Sequence, residues 1–377
     1  MRDKQKIRVG ITGQSGFIGS YLYNYIKLFP ENYEVIDFDR DFFNDDIALQ
    51  TFVSKCHVVV HLAGVNRHNS AEMIHDANIN LATQLIKALE CTGSKPFVIY
   101  SSSVQEHQEN IYGKAKKEAR LLFEQWAGKH GAEFCGMIIP NVFGPFGNPF
   151  YNSVIATFSY QLTHGVIPKI EIDKNLPLIY VGELVEKIRI IIDEKLGGAS
   201  QEIPETNLIK VSEVLDKLTV FKTMYLDKNT IPKLSNVFEI NLFNTFRSYI
   251  DIGQKYPVPL QVNMDNRGYL VEIIKEFTGG QSFFSITKPS ITRGNHYHTR
   301  KIERFCVLKG EALIKLRKVG SDVVCELYVS GAMPTTIDIP IWYVHNITNT
   351  GKDELLTLFW CNEVFDVNDT DTYFEIV

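Results

Sequence analysis

The sequence predicts two folds in series: an α/β part on a parallel sheet over residues 1–252, and an all-β part over residues 253–377. Three observations carry that prediction. Short continuous apolar runs alternate with helix-periodic segments through the first half. A glycine-punctuated turn, TGQSGFIG, directly follows the first of those runs. From about Tyr256 the helical period gives way to short strands separated by Gly, Asn, Asp and Pro. At 377 residues and 45% hydrophobic content, the chain is long enough to bury two cores, and the boundary is expected near DIGQKYPVP.

The first run, IRVGIT, leads through the turn into a segment with Phe17, Ile18, Leu22, Tyr25 and Ile26 at helical spacing, a βα unit. The strands YEVIDFD and HVVVHLAG, the helix INLATQLIKALE and the strand PFVIYSSS follow. Apolar strands without alternation belong to a sheet covered on both faces, and such sheets bind ligands beyond the carboxyl ends of their strands. Gly13, Gly16 and Gly19 stand at that end of the first strand. Glycines there allow a tight turn, close approach of backbone N–H groups to a pyrophosphate, and close helix-on-strand packing, while the helix amino end attracts the anion. At the end of the second strand, Asp39 is placed to accept from a ribose hydroxyl and Arg40 to meet a 2′-phosphate, so both NAD and NADP stay open.

The stretch SSSVQEHQENIYGKAK supplies candidate chemistry. Tyr112 and Lys116, four apart, share a helix face, whereas Lys114 points away from Tyr112. A neighbouring ammonium and an oxidised nicotinamide lower the pKa of a phenol, which then exchanges a proton with a substrate oxygen near neutral pH. Ser103, ending the preceding strand, is positioned to polarise the same oxygen.

Composition narrows the alternatives. A net charge of −5 without a dense Lys/Arg run gives no track for nucleic acid. Six cysteines without CxxC spacing read as reduced, buried thiols of a cytoplasmic protein. No apolar run approaches the roughly 20 residues needed to span a bilayer, so no membrane partner is expected.

In the all-β part, YLVEIIKEF, GQSFFSITK, ERFCVLKG, EALIKLRKV, VVCELYVS and ELLTLFWCNEVF read as strands of an antiparallel sandwich or barrel. Strand alternation puts His296 and His298 on one face, Glu303 follows, and His345 lies further on in PIWYVHNITN. Three imidazoles and a carboxylate form a set suited to zinc or another divalent transition metal.

Residues 1 to about 250 resemble an extended short-chain dehydrogenase/reductase of Rossmann type. The matching features are the glycine motif, HLAG at 61–64, NIN with Asn78, the Ser103/Tyr112/Lys116 set, PNVFGP at 140–145 and LIYVGELV at 178–185. The resemblance implies cofactor contacts from Gly13, Gly16, Phe17, Ile18, Gly19, Asp39, Arg40, Leu62, Ala63, Gly64, Asn78, Tyr112 and Lys116, and a substrate contact from Asn141. Gly182 and Glu183 replace that family's Asp pair. Val104 and Gln105 stand where its sugar 4,6-dehydratases carry Asp-Glu, which argues for plain reduction.

The last third resembles a cupin, with His-x-His-x4-Glu-x6-Gly ending at Gly310 and a second motif running from Pro340 through His345 to Asn349, Trp342 replacing its glycine. DNRGYLVE at 265–272 resembles the Asp-x-Arg-Gly stretch of cupin-fold deoxysugar epimerases, whose arginine contacts substrate; here it is Arg267. With HLAGVNR, YNSVIATF, KGEALIKLR, FEINLF and DTYFEIV, nearly the whole chain resembles a family of bifunctional nucleotide-sugar enzymes of bacterial capsule and O-antigen synthesis. That resemblance implies a homodimer acting on a UDP-linked 4-keto-6-deoxy-HexNAc. The cupin would invert C3, and the reductase would then reduce C4 with NADPH, NADH staying open, to give UDP-N-acetyl-6-deoxy-L-talosamine. Tyr297, Lys301 and Tyr343 are candidates for the C3 base with no ground for choosing among them. The competing reading is an NAD-dependent nucleotide-sugar epimerase or dehydratase whose cupin only binds sugar or assists dimerisation.

Overall fold

A computed structural model describes residues 5–68, 70–266 and 268–377. The chain forms two compact units, Met1–Val154 with Asp173–Val211, and Ile155–Ile172 with Ser212–Val377.

In the first unit, strands β1 (Ile7–Thr12), β2 (Tyr33–Ile36), β3 (Val58–His61), β4 (Phe97–Ser103) and β5 (Phe134–Ile139) run parallel. Helices α1 (Phe17–Lys27), α2 (Asp46–Lys55), α3 (Ala71–Thr92) and α4 (Ile111–His130) connect or cover them. A short three-stranded sheet holds β6 (Asn141–Phe143), β7 (Asn175–Tyr180) and β9 (Asn207–Lys210), and β8 (Gly198–Glu202) closes the main sheet in the order β2-β1-β3-β4-β5-β8. Strand order reverses between β1 and β3, which opens a crevice at their carboxyl ends. Val58, Val59 and Val60 are all buried, as a strand covered on both faces requires, and Phe52, Leu85, Phe123 and Trp126 from α2, α3 and α4 pack one core. Asp45, Ser70 and Asn110 cap the starts of α2, α3 and α4.

The second unit contains helices α5 (Val154–Thr163), α7 (Val211–Phe221), α8 (Val237–Arg247) and α9 (Ile252–Lys255), while α6 (Val181–Glu194) belongs to the first. Two five-stranded antiparallel sheets follow. One is ordered β10 (Val258–Pro259), β18 (Thr335–Ile339), β15 (Glu303–Lys309), β20 (Leu355–Cys361), β13 (Gln281–Thr287). The other is ordered β17 (Val324–Ser330), β16 (Glu311–Lys318), β19 (Tyr343–Asn349), β14 (Thr292–Tyr297), β21 (Tyr373–Phe374). A separate hairpin pairs β11 (Val262–Asp265) with β12 (Gly268–Val271). Alternation on β16 buries Ala312, Ile314 and Leu316 against Phe305, Ile337, Ile347 and Phe359, one core shared by both sheets.

The change of hydrophobic period at 252/253 falls inside the second unit, because helices upstream of it are fastened to the sheet by buried polar groups. Arg304 on β15 and Asp338 on β18 form a two-pronged ion pair at 2.6 and 2.8 Å, each side chain 1% exposed. Tyr225 donates to Asp338 at 2.6 Å and lies 2.6 Å from the Tyr256 hydroxyl. Arg247 on α8 donates to the Ile339 carbonyl at 2.9 Å, and Arg304 to the Asn229 carbonyl at 3.1 Å.

All six cysteines are free. Four are buried as expected, but Cys325 is half-buried and Cys91 on α3 is exposed. No helix among the described residues is long and apolar enough to cross a membrane.

Asp338→Ala strands a buried guanidinium and should lower stability by about 3–5 kcal/mol, measured by urea unfolding. A loss below about 1 kcal/mol would show that the pair does not anchor the helices.

Candidate functional site

The crevice of the first unit is built from close backbone contacts. Gly13 has φ +72°, and a Cβ there would lie 2.8 Å from the Ala63 nitrogen. A Cβ on Gly19 would lie 2.1 Å from the Gly13 carbonyl, so α1 rests directly on the turn. Gly16 precedes the helix without a side-chain cap, leaving its first N–H groups facing the crevice, with Phe17 and Ile18 opening the helix. Leu62 and Ala63 bond to Thr12 of β1, and Gly64 lies against Asn78, whose amide donates to the Val65 and Ile74 carbonyls. These residues fit a dinucleotide, because the cradle is one that side chains would fill. Asp39 and Arg40 are exposed, and the Asp39 carboxylate accepts from the Asp41 N–H at 2.8 Å.

Ser103 ends β4, while Tyr112 and Lys116 lie one turn apart on α4. Lys116 is buried, its ammonium 4.5 Å from the Tyr100 ring centre. The lowered phenol expected from the Tyr/Lys spacing is not produced by the chain itself. Burial pushes Tyr112 up to about 12, with Tyr151 adding to it. Burial also pulls Lys116 down to about 7 against the opposing effect of Glu106, so the lysine gives up charge for the same reason. Tyr112 therefore stays protonated at neutral pH, the form that donates a proton. Asn141 is exposed, its amide donating to the Pro177 carbonyl, and Glu183 accepts from Thr206 and from the backbone at the start of α6.

In the second unit His296, His298, Glu303 and His345 converge, their donor atoms all within 4.8 Å of one another. Glu303 lies on one sheet and His296 and His345 on the other, so the set bridges the two. A bulge places it: Gly294 pairs with Asn346 and His296 with His345, leaving Asn295 out of the β19 register at φ +58°. His298 Nδ1 bonds the Asp371 carbonyl at 2.5 Å and His345 Nδ1 the Tyr343 carbonyl at 3.1 Å, which turns both Nε2 atoms inward. Those atoms stand 3.0 and 3.3 Å from Glu303 Oε2, yet all three are buried without a hydrogen bond. Converging donors that do not satisfy one another fit a cation. Burial raises Glu303, but the two imidazoles outweigh it and hold the carboxylate well below its usual range. His296 is lowered to about 4, first by burial and then by His345 and His298.

A cavity of about 190 Å³ opens beside the set, lined by stacked Phe283 and Phe359 and by Ser285, Arg293 and Asn346. Ser285 Oγ and Asn346 Oδ1 are buried there without partners. Sequence reasoning missed these three polar groups, and strict alternation would have turned Arg293 to the opposite face from His296. Tyr297, Lys301 and Tyr343 do not line the cavity: Tyr297 stacks between Trp342 and Tyr373, and Lys301 donates to the Thr370 carbonyl. Trp342, standing where glycine was expected, keeps the turn at φ +60°. Arg267 lies outside the described residues.

The chain matches the NAD dependent epimerase/dehydratase family over residues 9–204 and the Polysaccharide biosynthesis C-terminal domain over residues 263–373. It belongs to the NAD dependent epimerase/dehydratase family. Among individual relatives, a UDP-2-acetamido-2,6-beta-L-arabino-hexul-4-ose reductase of Pseudomonas aeruginosa is 30% identical over 374 residues, 97% of this chain and 98% of that one. The capsular polysaccharide assembling protein CapF of Staphylococcus aureus is 34% identical, with a TM-score of 0.62 over 98% of this chain and 100% of the other. CapF with the inhibitor 3-isopropenyl-tropolone gives 32% identity and a TM-score of 0.59 over 98% and 100%.

Lys116 titrates near 7 in the folded chain against an ordinary 10.5. Below pH 7 it is charged in both folded and unfolded states and opposes folding in full; that opposition fades as pH rises from 7 towards 10.5. Lys116→Met should therefore stabilise the chain at pH 6 and lose the advantage by pH 10. Urea unfolding that gives an equal effect at both values would contradict the lowered titration.

Proposed function

We propose that the chain is a bifunctional nucleotide-sugar enzyme, a C3 epimerase in its cupin, residues 253–377, and a C4 reductase in residues 1–252. The substrate is a UDP-linked 4-keto-6-deoxy-HexNAc and the product UDP-N-acetyl-6-deoxy-L-talosamine, in the cytoplasm and as a homodimer. The observation that carries this reading is Tyr112 and Lys116 on one face of α4, with Ser103 at the adjacent end of β4, beyond a glycine cradle that side chains would fill. The Pseudomonas relative, a reductase of a UDP-linked hexul-4-ose, supports it over nearly the full length.

When bound, NADPH supplies the hydride. Ser103 would hydrogen-bond the C4 oxygen and Tyr112, kept protonated by burial, would hand it the proton that completes the alcohol. Asn141 and Arg267 are assigned to substrate. In the cupin the C4 ketone acidifies the C3 proton, and inversion follows when it is removed from one face and returned to the other. His296, His298, Glu303 and His345 would hold a zinc ion; with all four as ligands the ion is closed and contributes to folding.

Tyr112→Phe should abolish NADPH oxidation by the 4-keto sugar nucleotide while leaving deuterium uptake at C3 from D2O intact, as followed by absorbance and NMR. Loss of both activities in a folded variant would refute the division of labour.

Purified protein never exposed to chelator should carry about one transition-metal ion per chain, and chelation should lower its thermal midpoint. Elemental analysis finding no metal would remove that assignment.

A further inference from the structure

Two buried charges in the first unit lie outside the chemistry assigned above. Glu106 sits in the short turn 104–107, three residues after Ser103, and its side chain is 2% exposed. Its Oε2 accepts from Ser102 Oγ at 2.5 Å and from Arg120 Nε at 3.1 Å, and its Oε1 accepts from Arg120 Nη2 at 2.9 Å. Arg120 follows Tyr112 by eight residues and Lys116 by four, so all three lie on one stripe of α4. Its remaining fork nitrogen donates to the Ala199 carbonyl at 2.7 Å.

Two glycines make this arrangement sterically possible. A Cβ on Gly136 of β5 would lie 2.6 Å from Arg120 Cδ, so glycine leaves the channel for the arginine stem. A Cβ on Gly113 would lie 2.0 Å from the Gln105 carbonyl, so α4 seats directly on the turn that carries Glu106. A two-pronged pair of this kind fixes distance and angle together, unlike a single flexible contact.

We propose that Glu106 is a positioning residue: clamped to Arg120 and Ser102, it sets the Tyr112–Lys116 face of α4 against Ser103. This rests on the reading of Ser103, Tyr112 and Lys116 given above. The same carboxylate is the anion facing Lys116. The other titratable groups set against it are His61 from β3 and Tyr100 from β4, both neutral near pH 7, with Tyr112 and Arg120 one turn to either side of it on α4. Without Glu106, Lys116 would lose its proton at lower pH.

The test is steady-state reduction of the UDP-linked 4-keto-6-deoxy-HexNAc by NADPH across pH 6 to 10. Glu106→Gln should lower kcat by about 10²-fold, leave KM for NADPH within about twofold, and move the alkaline limb of the kcat profile to lower pH. Because that variant strands Arg120, the double variant Glu106→Met/Arg120→Met is measured beside it, which removes both charges at similar volume. It should fold, with a retained thermal midpoint, and still show the lowered kcat. Wild-type kcat and pH limb in either variant, or a double variant that fails to fold, would make the pair a staple of the core and overturn the proposal. Lys116→Met separates the two readings: it should be inactive, and reduction surviving in it would refute the site assignment rather than the role of Glu106.

Discussion

An ionised side chain held away from water has to be met by another charge or by a full set of hydrogen bonds. That constraint organises both halves of this chain. In the second unit the Arg304–Asp338 pair crosses between two strands, and each remaining polar atom on it reaches a helix or loop, so the helical segment and the sheet fold around one centre. In the first unit Glu106 and Arg120 do the same between a strand end and a helix. Lys116 is the exception. Its burial is only partly answered, and the result is a lysine near neutrality in its titration, a state that structure alone disfavours and proton-transfer chemistry can use.

The histidine set shows the same rule with the answer left open. Backbone carbonyls take the outer nitrogens of His298 and His345, while their Nε2 atoms and Glu303 Oε2 point inward. Asp371 accepts from the Thr299, Arg300 and Lys301 backbone N–H groups at 3.0 Å each, and its own carbonyl takes His298 Nδ1. The carboxyl-terminal segment thus locks the loop after β14 and fixes which nitrogen of His298 faces its neighbours.

What could be read from the sequence was what short spacings encode. The glycine turn, Tyr112 with Lys116, and His296 with His298 each lie within one turn or one strand, where geometry follows from periodicity. The α/β part and the antiparallel part were legible for the same reason. Long-range partners were not: Glu106 and Arg120 are fourteen residues apart, and nothing local says that Gly136 clears the space between strand and arginine. Nor does the change of period near residue 252 reveal that Tyr225 and Arg247 bury their polar ends against β strands. Trp342 shows a limit of motif reading of another kind, since its backbone keeps the left-handed turn while its ring stacks on Tyr297, a contact glycine cannot make.

Asn295, skipped in the register with β19, divides β14 into two frames. Residues before it follow one parity and residues after it the other, which is how Arg293 comes to share a cavity with His296. The two frames can diverge independently. Substitutions upstream of the bulge alter the charge and shape offered to a ligand, whereas His296 downstream keeps its register with His345 on β19 and His298 its bond to Asp371. A lineage carrying this bulge can change what the cavity selects without disturbing the groups that hold its floor together, a modularity measured in one residue of chain.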